Sequence, residues 1–112
     1  MSDTLFAKII RGELPSEKVW EDDDVFAFKD VNPAAPVHIL VVPKKPLVNL
    51  YDAAEDDAEL LGKLMLAARR VAQEQGLEDF RLVANNGAGA GQSVFHLHLH
   101  VLGGRPLSWP PG

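Results

Sequence analysis

The chain has 112 residues, 46% of them hydrophobic, and a formal net charge of -5. That length suits one domain around one core, spanning residues 1–112. The acids gather in EDDD (21–24) and AEDDAE (54–59), which argues against a nucleic-acid groove, since such a groove needs a basic stripe. A local patch of donors can still hold a single phosphate. With no cysteine, disulfides and thiolate metal sites are excluded. The opening MSDTLFAKIIRGELP lacks a signal-like apolar run and no stretch reaches membrane length, so no membrane partner and a cytoplasmic location are expected.

Taken in order, SDTLFAKIIRG reads as a short helix, capped by Thr4 or Asp3 and stopped by Gly12. KVWE (18–21) and VFAFKD (25–30) are predicted strands around an acidic turn. NPAAP (32–36) has turn chemistry, and VHILVVP (37–43) is a β-rich run closed by Pro43. Leu60, Leu61, Leu64, Ala68, Val71 and Ala72 repeat at helical spacing and predict a long helix from about Asp52 to Gln75, with Gly76 as its stop. DFRLVANN (79–86) and SVFHLHLHVLG (93–103) are the last two predicted strands. No βαβ array is evident. The expected fold is α+β, a mainly antiparallel five-stranded sheet with one long and one short helix.

The loop NNGAGAGQ between those last strands invites a dinucleotide-binding reading. It fails on context, because that fingerprint needs a helix directly after the glycines. A flexible hairpin connection remains, as does a loop whose bare backbone can approach a ligand.

Three of the four histidines alternate in HLHLH. In a strand His96, His98 and His100 share one face, and Phe95, Leu97, Leu99 and Val101 share the other, which is expected to be the core face. Solvated surface rings are one reading. A zinc site is a second, with His38 or an acid as the third ligand, although the outer rings start about 13 Å apart along the backbone. The third is nucleophilic catalysis by a neutral imidazole, with its neighbours donating to an anionic transition state.

HLHLH followed by VLGGR resembles the histidine-triad (HIT) signature, His-φ-His-φ-His with apolar φ. The likeness extends over nearly the whole chain, through DTLFAKIIRGELPSEKVWEDDDVFAFKDVNPAAPVHILVVPKK, NNGAGAGQSVFHLHLHVLGGR and the terminal WPPG, and points to the histidine-triad nucleotide-binding (Hint) branch. It implies a homodimer of α+β protomers that hydrolyses adenosine 5′-phosphoramidates and related adenylates, without a metal or other cofactor. The dinucleoside polyphosphate hydrolases share the triad and form the alternative branch. A purine-nucleotide-binding or scaffold protein with incidental turnover is the alternative of another class.

The resemblance makes His98 the nucleophile at the α-phosphorus, with His96 and His100 orienting it and donating to phosphate oxygens. His38 supports the cluster. Ser93, Gln92 and Gly91 are implied near the phosphate and leaving group, with Asn85 as a polar contact there. Asp30 corresponds to the acid that accepts from both ribose hydroxyls, and Leu5, Phe6, Ile9, Leu14, Phe28, Val31 and Leu40 to the adenine pocket. Plain core packing is the competing reading of those apolar residues. Trp109 belongs to a tail implied to lie along the dimer interface, toward the partner's site. One departure is Pro46, where the family often has His after VVPKK.

Overall fold

The computed structural model describes residues 3–112. Helix α1 runs over Leu5–Ile10, with the Thr4 hydroxyl accepting from the Ala7 amide at 3.1 Å. Of the two expected caps it is Thr4 that serves, and Gly12 ends the turn at a φ of 78° that other residues resist. Strands β1 (Lys18–Glu21), β2 (Val25–Lys29), β3 (Val37–Pro43), β4 (Phe80–Val83) and β5 (Leu99–Gly103) form one antiparallel sheet in the order β1-β2-β3-β5-β4. The α+β class and the five strands agree with the expectation. No helix among the described residues is long and apolar enough to cross a membrane.

Both faces of this sheet are covered, and that determines where the histidines lie. On one face Val25, Ala27, Ile39, Val41, Leu99 and Val101 pack under Leu64, Ala68, Val71 and Ala72 of helix α2 (Ala58–Glu74). On the other, Phe26, Phe28, Leu40 and Val42 meet Phe6 and Ile9 of α1. Since side chains alternate along a strand, His38 shares the second face with Leu40 and Val42, and His100 lies across from Leu40. The imidazole face is therefore interior, and the solvated-surface reading falls.

Three predicted elements are corrected, the first being the strand expected over 79–86, which pairs only over Phe80–Val83. The long helix starts at Ala58 rather than near Asp52, because two 3-10 turns, Leu50–Asp52 and Glu55–Asp57, precede it. Their acids turn back on the backbone: Asp52 accepts from the Val48 amide at 2.9 Å and Asp57 from the Ala54 amide at 2.9 Å. Such local bonds compete with helix propagation.

The last strand is also shorter than expected, five residues from Leu99. Continued backwards, the β3–β5 register would bring Pro43 opposite Leu97, and proline has no N–H to give. The Leu97 amide bonds the Leu47 carbonyl instead, at 2.7 Å. Residues 93–98 thus leave the ladder, and Phe95 is 47% exposed instead of joining the core.

Candidate active site

A cavity of about 430 Å³ opens between α1, the β2 end and the β5 start. It is lined by Leu5, Phe6, Ile9, Leu14, Phe28, Val31 and Leu40 on its apolar side, and by Asp30, Ser93, His98 and His100 on its polar side. Three larger hollows, about 810, 670 and 490 Å³, lie along α2, beside the C-terminal segment and at β1; all are more open and contain no histidine. Eleven of the residues expected at the site thus meet around one hollow. Pro15, Ser16, Lys29, Asn32 and Val94 also line it and were not anticipated, although each lies within two positions in sequence of a residue that was.

His98 is 7% exposed, and its ring meets the edge of Phe6 at 4.9 Å and that of His100 at 4.8 Å between centroids. Its Nδ1 lies 2.7 Å from the His96 carbonyl, which can only accept. The proton is therefore on Nδ1, and Nε2 carries the free lone pair. Burial, first of all, holds this imidazole below the usual histidine range, so it is neutral near pH 7.

His96 departs from its expected role. Its ring is 2% exposed and lies outside the cavity, and its Nε2–H donates to the Pro43 carbonyl at 2.7 Å. That bond anchors the stretch where the ladder has ended. His96 orients His98 through its backbone carbonyl, and a phosphate-donor role does not fit this ring.

His38 and His100 form a polarised pair. The Ala34 amide donates to His38 Nδ1 at 2.9 Å, which places the His38 proton on Nε2. That N–H donates to His100 Nδ1 at 2.9 Å, so the His100 proton lies on Nε2. Burial, then repulsion from His98 and His38, pushes His100 down to about 4, and burial likewise lowers His38. Asp30 stands beside the pair, with Oδ2 at 3.3 Å from His38 Nε2 and Oδ1 accepting from the Asn32 amide at 2.8 Å.

Asp30, His38 and His100 bring ligand-type atoms within 4.8 Å of one another. A metal at His38 Nε2 would force the ring proton onto Nδ1, facing the Ala34 amide, donor against donor. Metal-bound histidines turn their second N–H toward an acceptor, so this arrangement suits a hydrogen-bond chain better than an ion.

Gln92 is a second departure. Its side chain is 3% exposed and outside the cavity. Oε1 accepts from the Gly87 amide at 2.8 Å, while Nε2 donates to the carbonyls of Val48 at 2.7 Å and Val94 at 3.1 Å. With both amide hydrogens committed, it ties loops together and has none to offer a phosphate. Asn85 and Gly91 also lie outside the cavity lining, next to each other: a Cβ on Gly91 would come 3.7 Å from Asn85 Nδ2. Trp109 is 80% exposed and lies away from the cavity.

The antiparallel sheet, the covered imidazole face and the alternating histidines define a histidine-triad architecture, and the chain belongs to the HIT domain family, whose model matches residues 11–107. It is 63% identical over 111 residues to an uncharacterized HIT-like protein of Synechocystis sp., covering 98% of this chain and 97% of that protein. A HIT family hydrolase from Legionella pneumophila Philadelphia 1 superposes with a TM-score of 0.95 at 46% identity, covering 98% of this chain and 100% of that one. A histidine triad nucleotide-binding protein from Candida albicans gives a TM-score of 0.82 at 28% identity, over 96% of this chain and 83% of that one.

Proposed function

We propose that this protein hydrolyses purine nucleoside 5′-phosphoramidates and related adenylates to the nucleoside monophosphate through a nucleotidyl-histidine intermediate. The observation that carries this reading is the His98–His96 hydrogen bond: a buried, neutral imidazole is fixed with Nδ1 protonated and Nε2 bare, on the wall of a cavity otherwise suited to a nucleoside. A protein that only bound nucleotides would have no need of an oriented nucleophile. The names of structural neighbours, a hydrolase and a nucleotide-binding protein, support the same reading.

The apolar end of the cavity takes the purine, and Asp30 accepts from the ribose hydroxyls. The α-phosphate then lies beside His98, His100 and Ser93. His98 Nε2 bonds to phosphorus as the P–N bond to the amine breaks, and the amine leaves with that electron pair and a proton. His100 Nε2–H and the Ser93 hydroxyl are the donors for the non-bridging oxygens and the leaving nitrogen. Water next attacks phosphorus, the His98–phosphorus bond breaks and returns its electron pair to Nε2, AMP leaves, and the proton lost by the water replaces the one the amine carried off. Two easier displacements replace one difficult one.

The reading includes a homodimer. Strand β4 is an edge of the sheet, Phe80 on it is 39% exposed, and Met65 and Leu66 on α2 are 52% and 54% exposed. An unpaired edge with apolar neighbours is a surface that proteins cover. The decisive experiment is turnover of an adenosine phosphoramidate bearing a fluorescent amine, with a rapid acid-free quench and mass spectrometry. An AMP adduct on His98 is expected; release of amine with no adduct and no loss in a His98→Ala variant would refute the assignment.

A further inference from the structure

Asp30 and His100, expected at the ribose and at the phosphate of the nucleotide, meet at one N–H. His38 Nε2–H lies 2.9 Å from His100 Nδ1 and 3.3 Å from Asp30 Oδ2. The Ala34 amide occupies Nδ1, so the ring has a single N–H, which bonds His100 while the Asp30 carboxylate stands close enough to pull on it. Asp30 cannot easily turn away, because Oδ1 is held by the Asn32 amide. Each carboxylate oxygen still has lone pairs for further donors.

We propose that filling Asp30 with the hydroxyls of a ribose relieves its pull on the His38 N–H and tightens the bond that N–H already makes to His100, so that sugar recognition strengthens the donor aimed at the phosphate. The inference rests on the hydrolase reading above and concerns how its parts communicate. A hydroxyl donating to Oδ2 draws electron density from it and weakens it as an acceptor for His38. The His38 N–H then bonds His100 Nδ1 more fully. An imidazole that accepts at Nδ1 becomes a better donor at Nε2, since linked hydrogen bonds polarise one another. No net proton is transferred and no charge is created, which suits a buried cluster of neutral rings. His38 lies outside the cavity lining and acts through its neighbours, as a positioning residue.

A carboxylate that merely gripped the sugar would stabilise ground and transition states alike, and losing the hydroxyls would then raise KM alone. Coupling through His38 puts part of the sugar effect into kcat. The test compares an adenosine 5′-phosphoramidate with its 2′,3′-dideoxy counterpart, carrying the same amine, in the wild-type protein and in His38→Ala and His38→Gln. In the wild type the dideoxy substrate should raise KM and lower kcat by roughly threefold to tenfold, the span of one modest hydrogen bond. In His38→Ala the two sugars should share one kcat while still differing in KM, and Gln, whose amide N–H can donate, should restore part of the kcat difference. A wild-type sugar effect confined to KM, or a kcat ratio unchanged in His38→Ala, would overturn the proposal. NMR of the wild type needs no variant and no turnover: the His38 Hε2 and His100 ring resonances should shift differently with AMP and with 2′,3′-dideoxy-AMP, and identical shifts would also overturn it. Failure of the hydrolase reading itself would show separately, as no turnover of either substrate.

Discussion

The Gln92 side chain and the Val48 carbonyl are joined by a 2.7 Å hydrogen bond across 44 residues of sequence. The same amide holds Val94 and Gly87, so one buried side chain ties the segment after β3 to both ends of the turn leading into the triad. Gln92→Ala would leave three backbone groups without this partner. We expect it to destabilise the fold by about 2 to 4 kcal/mol in urea unfolding, with activity lost as the protein unfolds. A stable variant with impaired kcat would instead return Gln92 to direct contact with the phosphate.

His98→Ala should lower kcat by at least about a thousandfold, as removal of a covalent nucleophile does elsewhere. AMP should still bind, because Phe6, Phe28, Leu40 and Asp30 remain around the cavity. Isothermal calorimetry measures the binding and single-turnover kinetics the chemistry. Retention of a tenth of the wild-type rate would mean that another group attacks phosphorus.

Acid should weaken both stability and turnover. All four histidines are held below their ordinary value, mainly by burial, with His100 at about 4. Between about pH 6.5 and pH 4 the unfolded chain therefore binds more protons than the folded one, so unfolding free energy falls as pH falls. The contribution is fully present above pH 6.5. The acid limb of kcat should likewise lie below the usual histidine range, since His98 must be neutral to attack. Urea midpoints from pH 7.5 to 4.5 that stay flat would contradict the buried, neutral cluster.

Metal removal separates the remaining readings of the histidines. Exhaustive EDTA treatment should leave kcat/KM unchanged, because every step proposed above uses only side chains and water. Activity lost to chelator and restored by zinc would show that the His38 tautomer is not held by Ala34 as the geometry indicates.

The C-terminal segment offers a test of leaving-group selection. Arg81 donates to the Ser108 carbonyl at 2.9 Å, and its guanidinium lies 6.0 Å from the Trp109 ring centroid, so the segment is held to β4 although Trp109 is exposed. Deleting residues 108–112 should leave a folded dimer by sedimentation. It should also change the kcat/KM ratio between a small and a bulky amine, because the tail is proposed to border the partner's site. An unchanged ratio at full activity would remove the tail from the site.

The amino-acid sequence alone determined the local elements whose signals are local. Thr4 and Gly12 bracket α1, the Leu60-to-Ala72 stripe marks α2, and the alternation in VHILVVP and LHVLG sets which side chains share a face. That the three histidines share a face was legible because strand alternation is local; Asp30 and the histidines' separate roles came only from the family resemblance. What only the tertiary structure decided depends on partners distant in the chain. The strand ahead of Leu99 ends because Pro43, 54 residues earlier by the register that faces it to Leu97, cannot donate, and His96 is drawn to its carbonyl. Gln92 looks like a phosphate ligand until Val48 and Gly87 are seen to use its whole amide. The tautomers of His38 and His100 follow from a turn amide at Ala34, which periodicity cannot reveal. Hydrogen-bond polarity is a property of pairs, and a sequence displays only one member of each pair at a time.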